Sequence, residues 1–366
     1  MNEVVIVQNS IKTVVLFRMT YIKMLIEKGC KVVVIAPNDD NSSFLELIEI
    51  GVHVDNIPPL RGLISKALSI ARMNLAVLRA RRKNSIIICH FISTLIFIYL
   101  SLVPFNKRFV VFVEGLGSAY EINRLFRGLI KVAFYFVSGS VFVCNKDEKE
   151  SLNISKAIVT GGIGVDVEYF SPSNNSIVKS EVPLELLYVG RLIRDKGIDS
   201  VIDAFRILLK NNINTRLTVV GDIYINNPSS LTKDDLNQIK SEFGNSINIL
   251  GYSSNIKECY ENAHVLLLPS RREGFPVSVM EASAMGVPTV GYNVPGMSDA
   301  IDEKFNGLLA PYRDIDELVA KILVFVDYKK LRHYQIKSRE YAIDNFSRTE
   351  KDSFIVNYLL DKLSTV

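Results

Sequence analysis

This chain is poor in the residues that hold small folds together covalently or through metal. It has four cysteines, Cys30, Cys89, Cys144 and Cys259, scattered with no C-x-x-C pair. That excludes a disulfide framework and a zinc ribbon and points to a reducing compartment. Its four histidines are isolated from one another, so no zinc site is expected. There is no low-complexity tract and no internal repeat of the length that builds solenoids. The opening residues, MNEVVIVQNSIK, read as a short strand with an early acid rather than as a secretory leader. What is present is a globular composition, 48% hydrophobic and 22% charged over 366 residues, which is too long for one ordinary core and implies two domains.

The net charge of +4 is unevenly spread. Residues 1–165 hold 20 Lys and Arg against 12 Asp and Glu, while the remainder holds 23 against 27. The positive surplus concentrates in RGLISKALSIARMNLAVLRARRK (61–83), with Arg61, Lys66, Arg72, Arg79, Arg81, Arg82 and Lys83. This reads as an amphipathic helix able to lie on an anionic membrane surface; the plainer reading is a solvated helix face. The run IIICHFISTLIFIYLSLVP (86–104) is long enough to raise the question of a membrane span. His90, Ser93 and Thr94 interrupt it, so a buried strand followed by a buried helix ending at Pro104 is the better reading.

Apolar runs rich in Val and Ile alternate with helical patterns, which predicts parallel strands in βαβ units. The alternation breaks at EYFSPSNNSIVKSEVP and resumes at LELLYVG. This divides the chain into a Rossmann-like domain over 1–167, a linker over 168–183 and a second Rossmann-like domain over 184–345. A final helix over 346–366 is expected to pack back on the first domain. Two doubly wound α/β domains facing across a cleft place a ligand at the carboxyl ends of the strands.

Within the second domain, RREGFPVSVMEASAMGVP (271–288) holds Glu273 and Glu281 eight positions apart. A buried strand, HVLLLPS, precedes it. Pro276 suits the first helical position, and Gly286 closes the helix with Pro288 beyond it. Gly274, Phe275 and Pro276 would then sit at a helix N-terminus, where backbone N–H groups and the helix dipole favour an anion. Glu281 lies roughly 7.5 Å further along the axis. The two carboxylates could contact both ends of an elongated ligand with an anionic middle, and carboxylates suit vicinal hydroxyls. A nucleotide-sugar has that layout. The alternative is a turn residue and a helix-surface charge. YVGRLIRDKGIDSVIDAF (188–205) adds Arg191 and Lys196 in a short loop after a strand. They are placed to neutralise a leaving diphosphate, or else are solvated loop cations.

These segments resemble the retaining GT-B glycosyltransferases of family 4. GGIGVDVEYFSP, VGRLIRDKG, LLLPSRREGFPVSVMEASAMGVPTV with its E-x7-E signature, and GYNVPGMSDAIDEKFNGLLAP are all similar to family segments. The resemblance implies that Glu273 contacts the donor sugar and Glu281 the ribose. It implies that Arg191 and Lys196 bind the diphosphate and that Gly274, Phe275 and Pro276 approach sugar and phosphate. No metal or other cofactor is implied. The first domain departs from the common pattern. VQNSIKTVVLFRMTYIKML lacks the Gly-Gly loop that many members carry after the first strand, and is similar instead to a bacterial surface-polysaccharide subgroup. Where many members have a histidine, VFVEGLGS has Glu114 before Gly115-Leu116-Gly117. Glu114 either orients the acceptor hydroxyl or holds the loop. His90 either faces the cleft or is a core histidine. Asp314-Ile315-Asp316 has the form of a metal-binding DxD, but it precedes an apolar-periodic stretch and is expected to cap a helix.

The implied activity is transfer of a sugar, with retention, from a nucleoside diphosphate sugar, UDP before GDP. The implied acceptor is a lipid-linked saccharide in O-antigen, capsule or exopolysaccharide synthesis. The implied location is cytoplasmic, peripheral at the cytoplasmic face of the inner membrane, with no nucleic-acid partner. A nucleotide-sugar epimerase of the same fold, or a regulator that only binds the nucleotide-sugar, are the other readings.

Overall fold

In a computed structural model, residues 2–82, 85–102, 108–117, 120, 123–173, 183–224, 227–253 and 255–364 are described. The chain forms two units: Met1–Ile163 with Arg348–Val366, and Gly164–Ser347.

The first unit holds a parallel sheet of β1 (Glu3–Val7), β2 (Lys31–Pro37), β3 (His53–Ile57), β4 (Ile86–His90), β5 (Phe109–Val113), β6 (Ser140–Val143) and β7 (Ile158–Val159). Their order is β3-β2-β1-β4-β5-β6-β7. The direction of winding reverses between β1 and β4, and such a switch point opens a crevice at the strands' carboxyl ends. Strands such as EVVIV and FVVFV are apolar on both faces because helices cover both. On one face, Met73, Val77, Leu95, Ile98, Ile130 and Phe134 from helices Gly62–Arg82, Ile92–Leu102 and Arg124–Tyr135 form a core with β1, β4 and β5. On the other, helices Ile11–Glu27, Asn41–Glu49 and Arg348–Ser364 pack through Tyr21, Ile22, Leu47, Val356 and Leu359.

The second unit repeats the plan with β8 (Leu184–Val189), β9 (Thr215–Val220), β10 (Ile247–Gly251), β11 (Val265–Leu268), β12 (Thr289–Tyr292) and β13 (Gly307–Ala310), all parallel and ordered β10-β9-β8-β11-β12-β13. The switch point here lies between β8 and β11.

The run 86–102 is β4 followed by a helix whose Ile92, Thr94, Leu95 and Ile98 are buried. Pro104 lies outside the described residues. Among those described, no helix is long and apolar enough to cross a membrane. The division of the chain differs by a few residues from the sequence expectation. Residues 164–167, expected in the first domain, belong to the second unit. Val165 N donates to Phe346 O at 2.7 Å, and the Arg339 guanidinium donates to the carbonyls of Val167, Phe170 and Ala284 at 2.8 to 2.9 Å. Such a clamp joins residues far apart in sequence and leaves no local mark. The expected linker runs over 168–183, of which 174–182 lie outside the described residues. The last helix begins at Arg348 and belongs to the first unit, where Tyr358 and Phe354 meet the Phe142 ring edge-on.

Candidate active site

In the second unit, the site residues gather where β8 and β11 end. The chain leaves β8 at Val189 and turns through Gly190, Arg191 and a short 3-10 turn, Arg194–Lys196. The loop can fold back tightly because Gly197 is glycine: its φ is +79° and a Cβ there would lie 2.0 Å from the Pro269 carbonyl oxygen. Buried Tyr188 donates its hydroxyl to Arg191 O at 2.8 Å, pinning the loop from beneath. Burial pushes the Tyr188 pKa up, so the hydroxyl stays protonated and a donor.

From β11 the chain runs through Ser270 into Arg271–Pro276. Lys196 Nζ donates to both oxygens of Glu273, at 2.6 and 2.5 Å, and Ser270 Oγ donates to Glu273 Oε1 at 2.7 Å. Glu273 N donates to Pro295 O at 3.1 Å. The following segment must pass close behind this turn. Gly296, at φ +80°, would put a Cβ 2.2 Å from the Glu273 carbonyl oxygen. Helix Val277–Ala284 then begins with Pro276 as its cap and no side chain capping its start. Pro276 was expected one position further in, as the first helical residue. Its ψ of 118° is extended, so helical conformation begins at Val277.

Glu281 lies in this helix and receives the hydroxyl of Tyr260 on Oε2 at 2.9 Å. Tyr260 is fully buried and also lies 3.3 Å from Ser278 O. Burial first, and the neighbouring Glu281 carboxylate second, raise the Tyr260 pKa, so it donates at any ordinary pH. The Arg191 guanidinium stands over the Tyr224 ring, 5.1 Å from its centroid. The fold thus brings Lys196 and Glu273 into direct contact, sets Arg191 on the same loop, and holds Glu281 one helical stretch away. Tyr188, Ser270 and Tyr260 support them. Sequence reasoning missed all three, since an isolated Tyr or Ser carries no spacing signal.

In the first unit, Glu114 follows β5 directly. Its carboxylate pairs with the Arg18 guanidinium, and His90 Nδ1 lies 3.6 Å from Glu114 Oε2. Arg18 Nε donates to Gln8 at 3.3 Å, and Tyr21 OH and His90 Nε2 are 2.9 Å apart. All five groups are buried or nearly so. Burial alone would raise the Glu114 pKa, but Arg18 and then His90 outweigh it and hold the carboxyl at about 2. Burial and the Arg18 charge push His90 down to about 4, so it is neutral at physiological pH. Phe91, next to His90, has φ 69°, a left-handed conformation costing of the order of 1–2 kcal/mol for a residue with a side chain. That turn swings the chain from β4 into the next helix. Buried Glu148, another residue the sequence did not flag, accepts from Gly115 N at 2.8 Å and Cys144 N at 2.7 Å. It ties the loops after β5 and β6 together.

Among the described residues, no group of three or more His, Cys, Asp or Glu is placed to hold a metal ion. Asp314 of the DxD accepts from Glu317 N at 2.9 Å and caps helix Ile315–Leu323.

Residues 172–340 match the model of the family described as glycosyl transferases group 1. An N,N'-diacetylbacillosaminyl-diphospho-undecaprenol alpha-1,3-N-acetylgalactosaminyltransferase of Campylobacter jejuni is 27% identical over 86% of this chain and 87% of its own length. A UDP-Gal:alpha-D-GlcNAc-diphosphoundecaprenol alpha-1,3-galactosyltransferase of Escherichia coli is 26% identical over 54% of this chain and 52% of its own. Among solved structures, a glycosyltransferase of Rickettsia africae superposes with TM-score 0.79 at 18% identity, over 100% of this chain and 99% of that one. The Anabaena protein HepE, solved with UDP and glucose, gives 0.75 at 17% identity over 99% and 100%.

Proposed function

We propose that this chain, whose residues 172–340 match the group 1 glycosyl transferases and whose two units have the GT-B fold, is a glycosyltransferase that moves a sugar from a UDP-sugar, with retention of configuration, to a lipid-linked saccharide in bacterial surface-polysaccharide synthesis. The observation that carries this reading is the Lys196–Glu273 pair, with Ser270 behind it, at the uncapped start of helix Val277–Ala284. A cation, an acceptor-only carboxylate and a helix N-terminus at one point suit a sugar bonded to a diphosphate. The relatives' names supply the acceptor class. The Campylobacter and Escherichia proteins are named for diphosphoundecaprenol-linked saccharides, and the second for a UDP-sugar donor.

On this reading the diphosphate binds at Arg191, Lys196 and the backbone of Gly274, Phe275 and Pro276. Glu273 contacts the donor sugar and Glu281 the ribose. Without donor, Lys196 and Glu273 neutralise one another, which avoids leaving either charge half-buried and unpaired. When donor arrives, Lys196 turns part of its field to the phosphate and Glu273 accepts from sugar hydroxyls. As the glycosidic bond breaks, negative charge grows on the diphosphate, and the two cations and the helix dipole stabilise it. The departing phosphate oxygen takes the acceptor proton. Glu114 acts as a positioning residue: its carboxylate is engaged by Arg18 of helix Ile11–Glu27 and lies beside His90 at the end of β4, which ties the end of β5 to both. The enzyme works at the cytoplasmic face of the inner membrane, where its basic first unit meets anionic lipid.

The test is thermal stabilisation by UDP, GDP, UDP-sugars and GDP-mannose, on wild type and Glu281→Ala. A ligand of the folded state raises the melting temperature by mass action. A shift with UDP and one UDP-sugar, reduced in Glu281→Ala, is expected. A shift with GDP alone, or one that Glu281→Ala leaves intact, refutes the donor assignment.

A further inference from the structure

The outer layer of the first unit carries two helices whose solvent-facing sides are apolar. Helix Arg124–Tyr135 buries Ile130 and Phe134 against the sheet. On the opposite side, at the helical spacing of i, i+4 and i+7, stand Leu125, Leu129 and Val132, which are 74%, 60% and 58% exposed, followed by Phe136. Arg124 and Lys131 flank this stripe. Helix Gly62–Arg82 is built the same way. Met73, Val77 and Ala80 face the core, while Ile64, Leu75 and Leu78 face outward beside Arg72 and Arg79. Helix Ile92–Leu102 lies between them, bound on one side by Asn74 Nδ2 donating to Phe97 O at 2.9 Å and on the other by Tyr99 OH donating to Ala133 O at 2.7 Å. Its Leu100 is exposed too.

No Asp or Glu occurs in 61–82, 92–102 or 123–136. The helices on the other face of the sheet are mixed in sign, with Glu46, Glu49, Glu350 and Asp361 among them. A soluble surface does not accumulate large apolar side chains over three neighbouring helices without a partner. A face of one charge sign with apolar stripes between the cations complements an anionic bilayer. A lipid surface also needs no shape-specific pocket, and these helices present an even layer.

We propose that this three-helix layer is the membrane-docking face. Leu125, Leu129, Val132 and Phe136, with Ile64 and Leu75, enter the boundary between headgroups and acyl chains, and the flanking cations meet anionic headgroups. The helices start where β3, β4 and β5 end, so Ile64 and Leu125 in their first turns lie toward the sheet end that carries Glu114. This orientation brings a lipid-linked acceptor to that end, a step that rests on the acceptor reading above. The face itself does not depend on it.

Full-length protein is sedimented with vesicles of phosphatidylcholine alone and with added phosphatidylglycerol, at low and high salt. Binding is expected to require phosphatidylglycerol and to persist in part at high salt, since inserted apolar area is not screened. The double variant Leu129→Glu/Val132→Glu, both exposed and hence folded as wild type, is expected to bind at least about tenfold more weakly. The chain has no tryptophan, so Leu129→Trp gives a single tryptophan whose emission lipids brominated on the acyl chain are expected to quench. Three results overturn the proposal: wild type that ignores anionic vesicles, a double variant that binds as wild type does, or a dimer in solution that the double variant dissociates, which would assign the face to a second copy. Stabilisation by UDP and transfer to a detergent-dispersed acceptor are read in parallel. If they persist while vesicle binding fails, the docking face and the contact of the first unit with anionic lipid both fall, and the sugar-transfer reading stands.

Discussion

Lys196 and Glu273 make an ion pair whose two ends are unequally buried, and that inequality has a measurable signature. The side chains are 24% and 8% exposed, with Nζ and Oε2 at 2.5 Å. At that distance the gross Coulomb attraction is about 6–7 kcal/mol for an effective dielectric near 20. Desolvation of both groups cancels most of this, and solvent reaching Lys196 screens the rest, so a net coupling of about 1–3 kcal/mol is expected. Removing the cation by Lys196→Met leaves the deeper charge with Ser270 as its remaining side-chain donor. Removing the anion by Glu273→Gln leaves a lysine that can swing into water. Lys196→Met should therefore cost about 2–3 kcal/mol and Glu273→Gln about 1 kcal/mol, because the stranded charge sets the penalty. For a unit of this size each kcal/mol moves the midpoint by about 2–4 °C. Calorimetry of the four forms of a double-mutant cycle should show the double variant more stable than the sum of the single losses. Additive losses, or a larger loss for Glu273→Gln, would refute the reasoning that the pair exists to shelter Glu273.

Two further outcomes follow from buried groups. On the proposed donor reading, Tyr260→Phe removes the hydroxyl that orients Glu281 and is expected to weaken UDP binding by about 0.5–1.5 kcal/mol, read as a smaller UDP-induced rise in Tm measured from each form's own unliganded midpoint; equal rises in both forms would exclude a role for Tyr260 in holding Glu281. Asp352, on the last helix, is held by burial at about 7, above its ordinary 3.8, with Arg348 and Arg18 opposing the shift. A raised carboxyl destabilises the fold as pH rises from the unfolded value toward the folded one, so Asp352→Asn should stabilise by about 2–4 kcal/mol at pH 8 and be near neutral at pH 4. A difference that is the same at both values would show that Asp352 ionises freely in the folded chain.

Much of the molecule was legible locally. Val- and Ile-rich runs separated by helical periods specify parallel strands covered on both faces, because burial on two sides removes polar alternation. Gly286 and the cap Asp314 mark helix ends through backbone chemistry that acts within a few residues. The E-x7-E segment was readable because a strand end, a turn and a helix start are contiguous in sequence. The linker boundary was not, since Arg339 reaches back about one hundred and seventy positions to clamp Val167 and Phe170.

What the sequence determined alone is therefore what short-range physics determines: the period of each element, where it stops, and which carboxylates and cations stand at strand ends. The tertiary structure decided which of these meet. Glu114 found Arg18 across 96 positions, Lys196 found Glu273 across 77, and Glu281 found Tyr260 across 21. It also decided which face of a twice-apolar helix looks outward: Arg124–Tyr135 has apolar stripes on opposite sides, and periodicity is blind to which of them the sheet will take. Those choices depend on strand order, which converges distant residues on one edge of a sheet and which no local pattern encodes.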